Sequence, residues 1–315
     1  MIDIKETAAR LSRMDKVLFL THVRPDGDTI GSAAALCLTL RRLGKEAYLL
    51  RNPEITETYR PYAEECWAPD GWTPDHVVSV DVAVENLLPE NAAPYCGRVE
   101  LAIDHHPSQG FFAAETCLYA DAAACGEIVY EIIKEIMPLT PEIALLLYVA
   151  VSTDCGCFAY GNTTEHTHRI AAALMETGID TVSVNKALFQ TKSKVRLKME
   201  ARMVSEMELY DHDRVVVMKI PLALREEMHA TEADIEELSS LAPTVEGTDC
   251  GITLRELRKG VIKVSVRSGK RVNACEVCAR LGGGGHAAAA GATVEGTMDE
   301  VRDSVLRAVK AVVTH

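Results

Sequence analysis

Short apolar runs alternate with helical periodicities through the first half of the chain. Val17-Leu18-Phe19-Leu20 has no polar position, the pattern of a strand covered on both faces. Apolar positions at helical spacing then predict a helix over 29–43, with Gly44 as its stop. Residues 46–50, 77–80 and 99–103 read as further strands. Helices follow over 123–136, 141–152 and 164–176, with Thr140 as a cap and Pro141 at the first turn of the second. Strands alternating with helices predict a parallel sheet between two helical layers.

The pattern changes after residue 185. Residues 185–208 are basic and helical, without strand signals, and read as a connection. Beyond them come a strand over 214–220, a helix near 222–228 and an acidic helix near 232–239. A hairpin pairs 250–256 with 261–267 across Arg258-Lys259-Gly260. A helix over 272–281, a four-glycine loop and a last helix from 298 complete the chain. The expected fold class is α/β in two domains. An N-terminal parallel-sheet domain (1–185) and a smaller mixed-sheet domain (209–315) are joined by a helical linker (186–208).

Composition narrows the partners. The chain has 315 residues, with 48% apolar and 25% charged positions, enough for a sizeable core. Aromatic residues are only 5%, against a long stacking platform for single strands. The formal charge of −13 disfavours a protein that coats long nucleic acid, yet leaves room for one short anion at a local basic patch. The most apolar run, 143–152, is too short to span a bilayer, and the charged N-terminus has no secretion signal. A cytoplasmic protein with no membrane partner is expected. Ten cysteines show no framework spacing. They read as reduced thiols, and the pairs Cys155/Cys157 and Cys275/Cys278 lack the matching partner pair of a zinc site.

Four polar segments stand at the ends of these elements. Thr21-His22-Val23-Arg24-Pro25-Asp26-Gly27-Asp28 follows the first strand. Asp81 follows the strand over 77–80, and Asp104-His105-His106 the strand over 99–103. Asp154 lies just past the apolar helix. Each alone is an ordinary turn, helix cap or strand exit. Together, at the carboxyl edge of an open parallel sheet, they would crowd carboxylates and imidazoles into one crevice. Such a cluster repels itself unless cations enter, and its hard oxygens with a minority of imidazole suit Mn²⁺ or Mg²⁺.

His22-x-x-x-Asp26-x-Asp28, Asp81, Asp104-His105-His106 and Ser152-Thr153-Asp154 resemble the four motifs of the DHH phosphoesterases. Gly282-Gly283-Gly284-Gly285-His286 with Ala287-Ala288-Ala289-Ala290-Gly291 resembles the glycine-rich signature of the DHH-associated domain. The motifs keep the family's order over nearly the whole chain. Its length resembles the branch of bifunctional oligoribonucleases and pAp phosphatases, without the extra domains of RecJ-like exonucleases.

The resemblance implies a site for two ions, normally Mn²⁺, with Mg²⁺ as the alternative. His22, Asp26 and Asp81 would hold one ion. Asp28, Asp81, His105 and Asp154 would hold the other, with Asp81 shared. Catalytic roles fall to Asp104, which would orient the ligand histidine, and to His106 beside the substrate phosphate or leaving oxygen. Substrate binding falls to Arg267, to Gly283, Gly284 and Gly285 with amides open to an anion, and to His286. Gly156 and Phe158 resemble the glycine-phenylalanine segment usual after the last aspartate, and Cys155 and Cys157 are departures or tolerated substitutions among those positions.

The implied activity is hydrolysis of short RNA or DNA oligomers to mononucleotides, and of 3′-phosphoadenosine 5′-phosphate (pAp) to AMP. A homodimer is compatible with the family. The alternatives are a pApA or cyclic-dinucleotide phosphodiesterase, a pyrophosphatase or exopolyphosphatase, and a non-catalytic nucleotide-binding protein. His76, His166, His168, His212 and His229 are expected to be packing or surface residues. The acidic run 226–237 is expected to be a solvated face.

Overall fold

The computed structural model describes residues 1–269 and 271–313, and for Glu236 and Glu237 the backbone alone. Lys270, one of the basic residues between Arg255 and Arg280 that make up the local positive patch, and the side chains of Glu236 and Glu237 in the acidic run lie outside the described residues. The chain divides into two compact units, residues 1–191 and 192–315.

The first unit opens with α1 (Ile4–Leu11), whose first turn is closed by a reciprocal cap between Asp3 and Glu6. A five-stranded sheet follows, in the order β2-β1-β3-β4-β5 and parallel throughout. Its strands are β1 (Val17–Leu20), β2 (Ala47–Leu49), β3 (His76–Val80), β4 (Leu101–Asp104) and β5 (Glu115–Leu118). Alternate residues serve two cores. Val17, Phe19, Val78, Val80, Leu101 and Ile103 face the helical core, while Leu18, Leu20, Val77 and Val99 face a smaller one. This explains the unbroken apolar run in β1, which has neighbours on both edges and both faces.

The helical core is formed by α2 (Gly27–Arg42), α3 (Cys125–Ile136), α4 (Pro141–Asp154) and α5 (Glu165–Met175). A short α6 (Thr181–Asn185) runs directly into a π-helical turn (Lys186–Gln190) at the end of this unit. Two boundaries differ from the sequence expectation in ways that matter. Helix α2 begins at Gly27 rather than 29, because Asp26 caps it, and α4 runs through Asp154 rather than stopping before it. Thr140 stands at the α4 cap position without a side-chain cap bond.

In the second unit, α7 (Lys194–Ser205) falls within the span read as a linker. Met199 and Met203 bury it against Val216, Met218 and Ile220. The sheet has six strands in the order β10-β11-β9-β8-β7-β6, and one pair, β7–β8, is parallel. The strands are β6 (Glu208–Tyr210), β7 (Val215–Ile220), β8 (Cys250–Arg258), β9 (Val261–Ser268), β10 (Gly284–Gly285) and β11 (Ala289–Glu295). Short α8 (Leu222–Glu227) and α9 (Glu232–Ile235) lie between β7 and β8. Helix α10 (Ala274–Ala279), capped by Asn273, and α11 (Met298–Lys310) cover the other core. In the acidic run, Glu226, Glu227 and Glu232 are exposed, and Glu232 also pairs with Arg225 and Arg255.

No helix among the described residues is long and apolar enough to cross a membrane. All ten cysteines are free.

Candidate metal centre

The backbone leaving β1 is fixed first. The Asn52 side chain donates to Thr21 Oγ1 (3.1 Å) and to the His22 carbonyl (2.8 Å). His22 Nδ1 lies 2.8 Å from the Val23 carbonyl. A carbonyl only accepts, so Nδ1 carries the proton and Nε2 presents its lone pair. That Nε2 is 3.6 Å from Asp26 Oδ1 and 3.8 Å from Asp81 Oδ2. Asp26 also shapes the backbone, because its Oδ1 caps α2 by accepting from the amides of Asp28 (3.0 Å) and Thr29 (3.2 Å).

Asp28 is buried in the first turn of α2. It accepts from Ser32 Oγ (3.0 Å) and from the amides of Cys125 (2.7 Å) and Gly126 (2.9 Å). Those amides open α3, whose cap residue Ala124 has no side chain to serve them. Asp28 therefore caps a helix that lies far along the chain, and the α3 N-terminus steadies its charge. These partners, like the Ala122 carbonyl described below, belong to no motif and carry no local sequence signal.

Asp81 follows β3 with φ +59°. That left-handed conformation costs an L-residue roughly 1–2 kcal/mol, although aspartate bears it better than most. The strain is held by the Asp81 amide, which donates to the Ile103 carbonyl at 2.8 Å. The side chain is 3% exposed, and its Oδ1 is buried with no hydrogen-bond partner.

His105 and His106 leave β4 in different directions. His105 Nδ1 lies 3.1 Å from the Ala122 carbonyl, which fixes the proton there. Its Nε2 is 3.4 Å from Asp81 Oδ1, 3.7 Å from Asp154 Oδ2 and 3.9 Å from Asp28 Oδ2. Asp104 does not orient this ring, contrary to the sequence expectation. Fully buried, it accepts from His106 Nδ1 (2.8 Å), from the His105 and His106 amides (2.8 and 3.3 Å), and from Gln109 Nε2 (2.6 Å). The tight turn after β4 brings the second histidine back over the carboxylate and carries the first one past it. Gln109 also escaped the sequence reading. It is buried and ties Asp104 to the Val82 carbonyl at 3.0 Å.

These side chains form three overlapping sets of donor atoms: His22, Asp26 and Asp81; Asp28, His105 and Asp154; and Asp81, His105 and His106. Asp81 and His105 each belong to two. Without a cation the arrangement is costly. Burial, and then the charges of neighbouring aspartates, hold the Asp28 and Asp81 carboxyls well above their ordinary range. Burial also raises Asp154. The His106 imidazole is raised chiefly by its hydrogen bond to Asp104. An unpartnered buried carboxylate oxygen, two imidazoles with lone pairs turned inward and several like charges fit hard divalent cations. The same atoms offer no thiolate. Cys155 is buried in the helical core, where burial pushes its thiol up to about 12.

The other expected site residues lie in the second unit. Arg267, near the end of β9, pairs with Ala289 of β11. The amide of Ala289 donates to the His286 carbonyl at 3.2 Å, so the arginine and the histidine turn are neighbours. The glycine run is not the open loop expected from sequence. Gly284 and Gly285 pair with Gly291 and Ala290 as β10. A Cβ on Gly283 would strike the Gly291 carbonyl, and one on Gly285 would stand 2.6 Å from Ala290 Cα. Glycine is needed here for close packing of a hairpin. His286, at its tip, is exposed.

Comparison with known proteins agrees with this geometry. The DHH family, N-terminal domain, matches residues 16–151, and the DHHA1 domain matches residues 223–315. The chain is 33% identical over 303 residues to the bifunctional oligoribonuclease and PAP phosphatase NrnA of Thermus thermophilus, covering 95% of this chain and 90% of that protein. An exopolyphosphatase-related protein from Bacteroides fragilis shares the fold at a TM-score of 0.87, with 22% identity over 98% of this chain and 95% of that one. The exonuclease RecJ bound to manganese shares it at 0.52, with 15% identity over 98% of this chain and 93% of that one. With the aspartates and histidines gathered at the strand ends and both domains matched in order, the chain belongs to the DHH family, among its two-domain DHH–DHHA1 members.

Proposed function

We propose that the chain is a metal-dependent phosphohydrolase. It cleaves very short oligoribonucleotides to mononucleotides and removes a phosphate from pAp. The observation that carries the reading is the buried, unpartnered Asp81 carboxylate shared between two sets of donors. The similarity to NrnA supplies the substrate class.

His22, Asp26 and Asp81 would hold one cation, and Asp28, Asp81, His105 and Asp154 the other, with Mn²⁺ or Mg²⁺ as the ions. When bound, such a pair neutralises the attacked phosphate and activates a water for in-line attack. The chain's own residues do the rest. The Ala122 and Val23 carbonyls hold His105 and His22 in the tautomers that leave Nε2 free. Asp104 holds His106 by Nδ1, so Nε2 stands on the far side of a ring that is 41% exposed. From there it can give a proton to the departing oxygen, a role that the raised affinity of this imidazole for protons supports. Arg267 and His286 bind a substrate phosphate. The acidic surface disfavours longer polymers, which need many phosphate contacts.

With Mn²⁺ present, turnover of a dinucleotide should exceed that of a 24-mer by at least about tenfold, and pAp should yield AMP. The expectation follows from the formal charge of −13, which repels the many further phosphates of a long strand and leaves a dinucleotide almost unaffected. Labelled strands resolved by length give the comparison. Equal rates on both lengths would contradict the assignment.

A further inference from the structure

The loop after Asp154 has a conformation that metal binding does not explain. Gly156, Cys157 and Phe158 have φ of +53°, +54° and +65° in succession. Two of the three are not glycine, and left-handed backbone persists at such positions only where the surroundings impose it. The Cys157 amide donates to the Ser152 carbonyl at 2.7 Å. The amides of Ala159 and Tyr160 both donate to the Cys155 carbonyl, at 3.0 and 3.1 Å. The Asn162 side chain ties the end of the loop to the Asp154 carbonyl at 3.1 Å.

This winding sends two aromatic rings opposite ways. Phe158 turns inward, stacked on His168 at 5.4 Å and 28°, with Tyr148 6.0 Å away. Tyr160 turns outward and is 62% exposed. Its ring packs against Gly156, where a Cβ would stand 2.4–2.6 Å from three ring atoms. Among the described residues the ring has no aromatic or cationic partner on its other face. A tyrosine with one face seated on backbone and the other open is a rigid stacking surface. It is also close to the chemistry, because Gly156 Cα is at most about 7 Å from Asp154 Cα along the chain.

We propose that Tyr160 is a nucleobase platform, on which the base stacks when its nucleotide's phosphate enters the metal centre. The inference rests on the phosphohydrolase reading and deepens it. It selects nucleotides over inorganic pyrophosphate and polyphosphate, which have no ring to stack. Since every base has a π-face, the platform confers little base preference.

The test uses the full-length, Mn²⁺-loaded protein on a 5′-phosphorylated dinucleotide and on the same backbone with both bases absent. Tyr160→Ala should raise KM for the dinucleotide about tenfold, within the range that one lost base–aromatic stack covers. The Tyr160→Phe variant should stay within about twofold of wild type, since it keeps the ring. All three proteins should turn over the abasic substrate alike. Gly156→Ala, which displaces the ring, should repeat the KM increase. An unchanged KM in Tyr160→Ala, or an equal increase on the abasic substrate, would overturn the platform while leaving the hydrolase reading in place. Failure of the wild type on both substrates would instead remove the hydrolase reading itself, and the platform with it.

Discussion

Asp81→Asn is expected to lower kcat by at least about 10³-fold, the scale of losing a main electrostatic stabiliser from a hydrolytic site. Asp81 faces both halves of the centre: Oδ2 is 3.8 Å from His22 Nε2, and Oδ1 is 3.4 Å from His105 Nε2. Asparagine keeps the shape but loses the charge, and it turns an N–H₂ group toward one half. Stability should move the other way in metal-free protein. The Asp81 carboxyl is held well above its ordinary range by burial and by neighbouring aspartates. The folded state therefore binds its proton more tightly than the unfolded chain does, and stability falls as pH rises above the unfolded value. Asparagine is exempt from that loss. In chelator at pH 8 its Tm should exceed that of wild type, and the gap should close toward pH 4. A variant that is inactive and less stable at pH 8 would indicate disrupted folding instead of a lost ligand.

The second large effect is expected at Asp104, which contacts no proposed ion. Its two oxygens accept only from donors: two amides, the His106 ring and the Gln109 side chain. Asp104→Asn keeps an oxygen for the three donors at Oδ1 and turns its N–H₂ against Gln109 Nε2, so the bond to His106 loses its charge and its support and the ring is held less firmly. A fall in kcat of about 10²-fold is expected, at the lower end of what a positioned general acid contributes. KM and bound manganese should stay close to wild type, because the ring affected is His106 and not His105. Steady-state kinetics together with metal analysis of the same preparation measure both. Loss of manganese in parallel with activity would mean that Asp104 acts through His105 after all.

The sequence reading reached the clustered donor side chains more easily than what positions them. Polar residues directly after apolar strands reveal His22, Asp81 and His105, because strand ends in a parallel sheet share one edge. No local pattern reveals that Asp28 caps α3, that Ala122 fixes His105 or that Gln109 secures Asp104. Those bonds are made by backbone atoms or by a loop glutamine, and only the fold brings them together. The motif resemblance placed Asp104 against the wrong ring, since two adjacent histidines are equivalent in a sequence and are not so in a turn.

The strands that escaped notice have similar causes. Strand β5 (Glu-Thr-Cys-Leu) and β6 (Glu-Leu-Tyr) are short sheet-edge strands without an apolar run. Strand β11 is rich in alanine and glycine, and pairing with β9 makes it a strand despite weak intrinsic preference. On its other edge β11 pairs with Gly284 and Gly285, which turns part of the expected glycine loop into β10. Asp154 was expected beyond its helix because the apolar run stops before it, yet the backbone stays helical through it.

The central claim is that clustered carboxylates and imidazoles at the strand ends form a cation-dependent hydrolytic centre for short nucleotides. Its most direct test is dinucleotide turnover by wild-type protein stripped with a chelator, dialysed and then titrated with Mn²⁺. The account predicts that stripped protein is inactive while still folded, and that activity returns with the added ion. Full dinucleotide hydrolysis by protein shown to be metal-free would contradict it.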